Sequence, residues 1–523
     1  MKAQSIIPLV SLAVVGQAAP TSTTNATLPS VTLDYSTIVA AAGNESLGYY
    51  KYQNIRFAAV PTGDLRWAAP QWPPVETEDC LYMDVWAPAN SEGKNLPVMV
   101  WTYGGGFTGG SKSENTPEGL FDLTKDFVFV AYNYRLGMTG LVNGPTYNHH
   151  QGGVSNTAIW DVQHAFAWTK KYISKFGGNP DDITAVGFSA CGSQVMFQLT
   201  RFAGRAEQNF NKAYIMSPGF VPGAGHHHGE QFWLNVSSTV GCEGGNLDCM
   251  RKVNFTTLVD AATDVEDTYT HQFQPRVDGD IVADTYEASL YAGHFNFSGP
   301  LVISHEEHEA NSQAYSGVNT TEDVSTELRI FFPSITDDVV EELLALYPED
   351  DYESPGLRFA DMKQSFDLTG KNLALTHALK NNTWNARVSL DSATHGTDQS
   401  YYWYSTYSLS SSGSSSSSSG APSNSSNSTS SNSTSSAGGM GGGMGGSSSV
   451  DSTVAVKMQK YLMWFVLTDN PNTKWADEKL FWPKYNANNN TKGNQICFNT
   501  TMYITDDDLA NDKSLFWNKA LWY

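Results

Sequence analysis

The sequence predicts an α/β fold: a central, mostly parallel sheet flanked by helices and built as one large unit. Three observations carry that expectation. Apolar runs of strand length alternate with stretches of helical period along the chain. Ser189 stands between the apolar run Ile183 to Val186 and the helical stretch Gln194 to Leu199, within Gly187-Phe188-Ser189-Ala190-Cys191. Upstream, the apolar run Leu96 to Val100 leads into Trp101-Thr102-Tyr103-Gly104-Gly105-Gly106-Phe107. The 523 residues are long for one domain, but these motifs interleave, so length alone does not argue for several.

Met1-Lys2 precedes an apolar run from Ile6 to Val15 and the small residues Gly16-Gln17-Ala18-Ala19. A basic start, a short apolar core and small residues predict a signal peptide over 1–19, leaving residues 20–523 as a single domain. The run is too short for a membrane helix, and no other stretch is long and apolar enough to span a bilayer. The mature chain is therefore expected to be soluble and secreted. Sequons at Asn44, Asn235, Asn254, Asn296, Asn319 and Asn499 fit a glycosylating route. The net charge of −22 argues against nucleic acid and anionic membranes as partners.

Thr157 to Ser174 is patterned as an amphipathic helix, with Ile159, Val162, Ala165, Phe166 and Trp168 on or near one face. Residues 407–449 are almost wholly Ser, Gly, Asn and Thr. They cannot bury apolar surface, which predicts a disordered insertion within the domain. Fold signal resumes at Val450, and Val454, Met458, Leu462 and Phe465 are spaced as one helix face.

A serine on a sharp strand-to-helix turn has its hydroxyl lifted out of the sheet, with a helix N-terminus pointing at it. Acyl transfer builds negative charge on a carbonyl oxygen, and backbone N–H groups reach that oxygen where no side chain intervenes. A glycine loop after a strand, upstream of the serine, supplies such donors; the competing reading is a plain flexible turn. The serine also needs a base and a group to orient that base. Of twelve histidines, His164 and His377 fall on predicted helices. His226, His227 and His228 read as a solvated loop, with metal binding as the alternative. His395 follows the strand-like run Ala386 to Leu390 and opens a loop.

With these residues the chain resembles the type-B carboxylesterase/lipase family, cholinesterase-like α/β-hydrolases, and most of all its secreted fungal branch. The markers are Asn54-Ile55-Arg56-Phe57-Ala58, Glu78-Asp79-Cys80-Leu81-Tyr82, Gly104 to Phe107, Asn156 with Asp161-Val162-Gln163, and Phe176-Gly177-Gly178-Asn179-Pro180. They continue through the serine turn, Val277-Asp278-Gly279-Asp280, His395-Gly396-Thr397-Asp398, and the ending from Leu515 to Tyr523. The resemblance implies an α/β-hydrolase fold and a small-molecule carboxylic ester as substrate, with no metal or organic cofactor. Neither the particular ester nor an oligomeric state follows from it.

Carried onto this sequence, the resemblance makes Ser189 the nucleophile, His395 the base, and the backbone N–H groups of Gly105, Gly106 and Ala190 the oxyanion hole. The acid lies between Ser and His in such chains. Leu301-Val302-Ile303 reads as a strand, and matching it to the family places the acid at Glu309. Glu306 and Glu307 are the alternatives in the same acidic run, for which a metal site is the competing reading. The family also implies a disulfide between Cys242 and Cys249. Three departures stand out. Phe188 replaces an acidic residue, and is expected to weaken a hydrogen-bond network near the serine. Cys191 replaces a glycine and is expected to be a buried free thiol. Before Cys80 only a short Pro-rich bridge, Ala68 to Val75, occupies the place of the disulfide-closed lid of family lipases; Cys497 is a conceivable partner for Cys80. These departures keep a second reading open, a catalytically impaired binding or adhesion protein on the same scaffold. A peptidase on this fold is a third reading that no residue favours.

Overall fold

The computed structural model describes residues 28–71, 80–221, 226–266, 273–406, 450–474, 480–486 and 492–519. The predicted signal peptide at 1–19, the predicted insertion at 407–449 and the second half of the Pro-rich bridge lie outside the described residues.

Among the described residues thirteen strands are formed: β1 (Ser30–Thr32), β2 (Thr37–Val39), β3 (Ala42–Asn44), β4 (Tyr49–Arg56), β5 (Tyr82–Pro88), β6 (Leu96–Thr102), β7 (Val128–Tyr132), β8 (Gly178–Phe188), β9 (Lys212–Met216), β10 (Leu301–Glu306), β11 (Trp384–Val388), β12 (Asn494–Phe498) and β13 (Tyr503–Asp506). The first two pair with each other, and the rest make an 11-stranded sheet in the order β13-β12-β11-β10-β9-β8-β6-β7-β5-β4-β3. From β7 through β6 and β8 to β12 the neighbours are parallel, and the pairings at both ends of the sheet are antiparallel.

The sequence explains why the middle of the sheet is parallel and covered. Val98 to Trp101, Val128 to Tyr132 and Ala213 to Met216 are continuous apolar runs, and all are buried. Strands apolar on both faces need helices on both faces. Thr157–Tyr172, Ala190–Thr200 and Ser452–Thr468 are among the helices that provide the cover. The first ends two residues before the predicted Ser174 and tightens into a short turn, Ile173–Phe176. Val454, Met458, Leu462 and Phe465 are buried on the last, as their spacing predicts. A second apolar cluster joins Val324, Leu328, Phe332, Phe359, Phe366 and Trp517 under the helices between residues 321 and 364.

Register decides which loops meet. Thr102 of β6 pairs with Gly187 of β8, and Phe188 of β8 pairs with Met216 of β9. The glycine loop after β6 and the serine after β8 therefore leave the sheet side by side. Glu306 of β10 pairs with Val388 of β11, so the turns after those strands are neighbours too. All four connections lie at the carboxyl ends of parallel strands, where ligands of open α/β sheets bind.

One expectation is corrected, and one conceivable pairing is not made. His226, His227 and His228 are not a loop; they form the first turn of the helix His226–Thr239, whose apolar face, Phe232, Trp233 and Val236, is buried. Cys80 and Cys497 are not paired: both are free, and the Cys497 Sγ donates to Ser389 Oγ at 3.3 Å. Cys242 and Cys249 do form a disulfide. Cys191 is free and buried.

Candidate active site

Ser189 is the residue between β8 and the helix Ala190–Thr200, with φ 56° and ψ −130°. L residues rarely take that conformation, and it persists only where the surroundings enforce it. Here the Ser189 N–H donates to the Met216 carbonyl at 3.0 Å, and its own carbonyl accepts from Gly219 at 2.9 Å and Ser193 at 3.1 Å. The tight approach of helix to strand falls on Gly187, where a Cβ would sit 2.4 Å from the Cys191 carbonyl oxygen. Position 191 itself has room. Its thiol points at Tyr134 Oη, 3.0 Å away. Burial pushes that thiol far above its ordinary range.

The glycine loop reaches the serine. A Cβ on Gly104 would lie 3.1 Å from Ser189 Cβ and 2.7 Å from the Phe188 ring. Gly105 and Gly106 have φ 126° and 61°, and the Gly105 carbonyl accepts from Thr108 and Gly109, both at 3.0 Å, which folds the loop on itself. Ala190 opens its helix, and the first residues of a helix carry N–H groups without an intrahelical acceptor.

On the other side, β10 runs three residues beyond the predicted Ile303 and ends at Glu306. The turn that follows is laced to the loop after β11: Glu307 N–H to Val388 O at 2.9 Å, His308 N–H to Ala393 O at 2.9 Å, and His395 N–H to Glu309 O at 3.0 Å. This brings the three predicted side chains into line. His395 Nε2 is 2.7 Å from Ser189 Oγ, and His395 Nδ1 is 2.6 Å from Glu309 Oε2. The other Glu309 oxygen accepts from the Glu306 N–H at 2.9 Å. Burial pushes the His395 imidazole down, but the Glu309 carboxylate, with Asp367 and Asp398, more than offsets this and holds it above its ordinary 6.5.

Glu306 is not part of a solvated run. It is fully buried, and its Oε1 accepts from the Asp398 N–H at 2.7 Å. Burial, with the charges of Asp398 and Glu309, holds its carboxyl well above the ordinary range, and burial also pushes Asp398 up to about 6. Asp398 was visible in the His-Gly-x-Asp motif; the partner waiting for it on β10 was not. Phe188 stands where the resemblance places an acidic residue. In the structure its ring stacks on His395, with centroids 4.9 Å apart.

A broad, mostly parallel sheet with a serine on the turn after its central strand defines the class of α/β-hydrolases. The chain belongs to the carboxylesterase family, whose model matches residues 73–517. It is 27% identical over 343 residues to a secreted lipase of Arthroderma benhamiae, a match covering 63% of this chain and 66% of that one. It is 34% identical over 200 residues to the fumonisin B1 esterase of Sphingopyxis macrogoltabida, covering 32% and 37%. The chain thus spans under two thirds of the length of each. Among solved structures, Aspergillus niger EstA superposes with a TM-score of 0.75 at 22% identity, over 94% of this chain and 98% of that one. That likeness shows the fold.

Proposed function

We propose that this chain is a secreted serine hydrolase that cleaves carboxylic esters through Ser189, His395 and Glu309. The observation that carries the reading is the unbroken hydrogen-bond chain from Ser189 Oγ through both ring nitrogens of His395 to Glu309, at 2.7 and 2.6 Å. Ser189 Oγ attacks the ester carbonyl carbon while His395 Nε2 takes its proton. Glu309 fixes the tautomer and stabilises the imidazolium. Negative charge on the former carbonyl oxygen is met by the N–H groups of Gly105, Gly106 and Ala190. The C–O bond to the alcohol breaks, and His395 returns the proton to the leaving oxygen. Water, deprotonated by His395, then attacks the acyl-enzyme, frees the acid and restores Ser189.

The test is Ser189→Ala. The variant should fold, fail to react with a fluorophosphonate probe that labels the wild type, and lose about a millionfold in kcat on nitrophenyl esters. Retention of more than a few per cent of activity would overturn the assignment. A wild type that the probe does not label would favour the adhesion reading instead.

The substrates are proposed to be soluble short- to medium-chain esters. The bridge Ala68 to Val75 leaves no room for a disulfide-closed lid. Rate should rise smoothly with ester concentration, and a jump at the solubility limit would contradict this. Export is supported by the leader-like start and by the secreted relative.

A further inference from the structure

The His395 imidazole is held at its edges by Ser189 and Glu309. Those bonds lie near the ring plane, so they do little for the two faces. One face is taken by the phenyl ring of Phe188, stacked with centroids 4.9 Å apart and planes inclined by 28°. That ring is itself fixed. Phe188 is the last residue of β8 and pairs with Met216 of β9. A Cβ on Gly104 would fall 2.7 Å from its Cδ1, and one on Gly396 would fall 3.2 Å from its Cζ. The glycine loop and the His395 turn therefore close on it from two sides.

We propose that Phe188 is a positioning residue acting through His395: its π face steadies the imidazole and stabilises the imidazolium that forms as Ser189 gives up its proton. The proposal rests on the reading of His395 as the base. A neutral imidazole gains little from the ring quadrupole, whereas an imidazolium is attracted to it. The contact is therefore stronger after proton transfer than before, which is the condition for an interaction to speed the chemical step. The charged groups facing His395 are Glu309 on the turn after β10, Asp398 on the helix Thr397–Tyr402, and Asp367 on the turn Ser365–Thr369. None of them changes when only the phenyl ring is altered.

The experiment replaces Phe188 in the full chain by 3,5-difluoro- and 3,4,5-trifluorophenylalanine, which keep the ring and withdraw its π density, with Phe188→Leu as the ring-free reference. The expected result is a stepwise fall in kcat, reaching about tenfold across the series, at constant KM. The acid limb of kcat/KM should move to lower pH, because the imidazolium loses stabilisation while burial is unchanged. Folded fluorinated enzymes with wild-type kcat and an unmoved limb would overturn the proposal, as would losses confined to KM. Ser189→Ala, run in parallel, separates the readings: an active Ser189→Ala variant sinks the triad assignment, whereas an inert one beside unaffected fluorinated enzymes sinks the role of Phe188 alone.

Discussion

On the Ser189 side of the site, backbone conformation places the side chain; on the Glu309–His395 side, hydrogen bonds between two loops do. Ser189 is held by a single positive φ of 56° with its N–H and C=O tied to Met216 and Gly219. Glu309 and His395 have no such dihedral and are brought together by loop-to-loop bonds, then joined at 2.6 Å. The first arrangement tolerates almost no added volume. The second tolerates volume but depends on charge, and so on pH.

Charge removal should give the largest effect. Glu309→Gln keeps size and removes the carboxylate, and should lower kcat about ten-thousandfold with the fold intact. The same variant should show the sign of the His395 shift. A proposed base, His395 would work unprotonated, and its imidazole is held above the ordinary 6.5, so wild-type kcat/KM should fall as pH drops through a value above 6.5. Without Glu309 that limb should move down. A limb that stays in place would mean that Glu309 does not face the base.

Added volume should be the next largest. Gly187→Ala drives a methyl to 2.4 Å from the backbone oxygen of Cys191, so the helix must shift and carry Ser189 with it. A loss of roughly 2–4 kcal/mol is expected, seen as a lower urea midpoint, together with a large drop in kcat.

Glu306→Gln tests the charge-dependent half from behind. Glu306 and Asp398 are both raised from ordinary values of 4.5 and 3.8, Asp398 to about 6. A carboxyl raised in the folded state binds protons more tightly there than in the unfolded chain. Its stability contribution is full below the ordinary value and is lost as pH rises through the raised one. Wild type should therefore lose stability from about pH 4 upward past pH 6. The Gln variant should lose less, melting about a degree or two higher at pH 8. Equal slopes of Tm against pH would reject the account. The smallest effect is Cys191→Gly. The thiol already has its space, so the change should cost about 1 kcal/mol of helix propensity and leave kcat near wild type.

The same contrast explains what was legible in the sequence. The serine turn, the glycine loop and the parallel core strands depend on local residue patterns, and each lies where those patterns place it. Glu309 lies against His395, although three acidic residues stand within four positions. What stayed hidden depends on pairing across distant strands. Glu306 looked like one solvated acid among several, because the burial that meets it comes from Asp398, 92 residues away. Phe188 looked like damage because the face it covers belongs to His395, 206 residues beyond the serine. The three histidines at 226 to 228 carried loop composition, but the buried Phe232, Trp233 and Val236 after them draw the segment into a helix.

The dihedral of Ser189 sets thermal endurance against chemistry at one residue. With φ at 56° and ψ at −130°, this is a conformation that glycine occupies freely and serine does not. A lineage selected only for heat resistance would drift toward glycine here and, on the proposed mechanism, lose its nucleophile. A search for hardier forms of this protein would therefore look to the rest of the chain, because on the proposed mechanism the strain at this position cannot be released without losing the side chain that reacts.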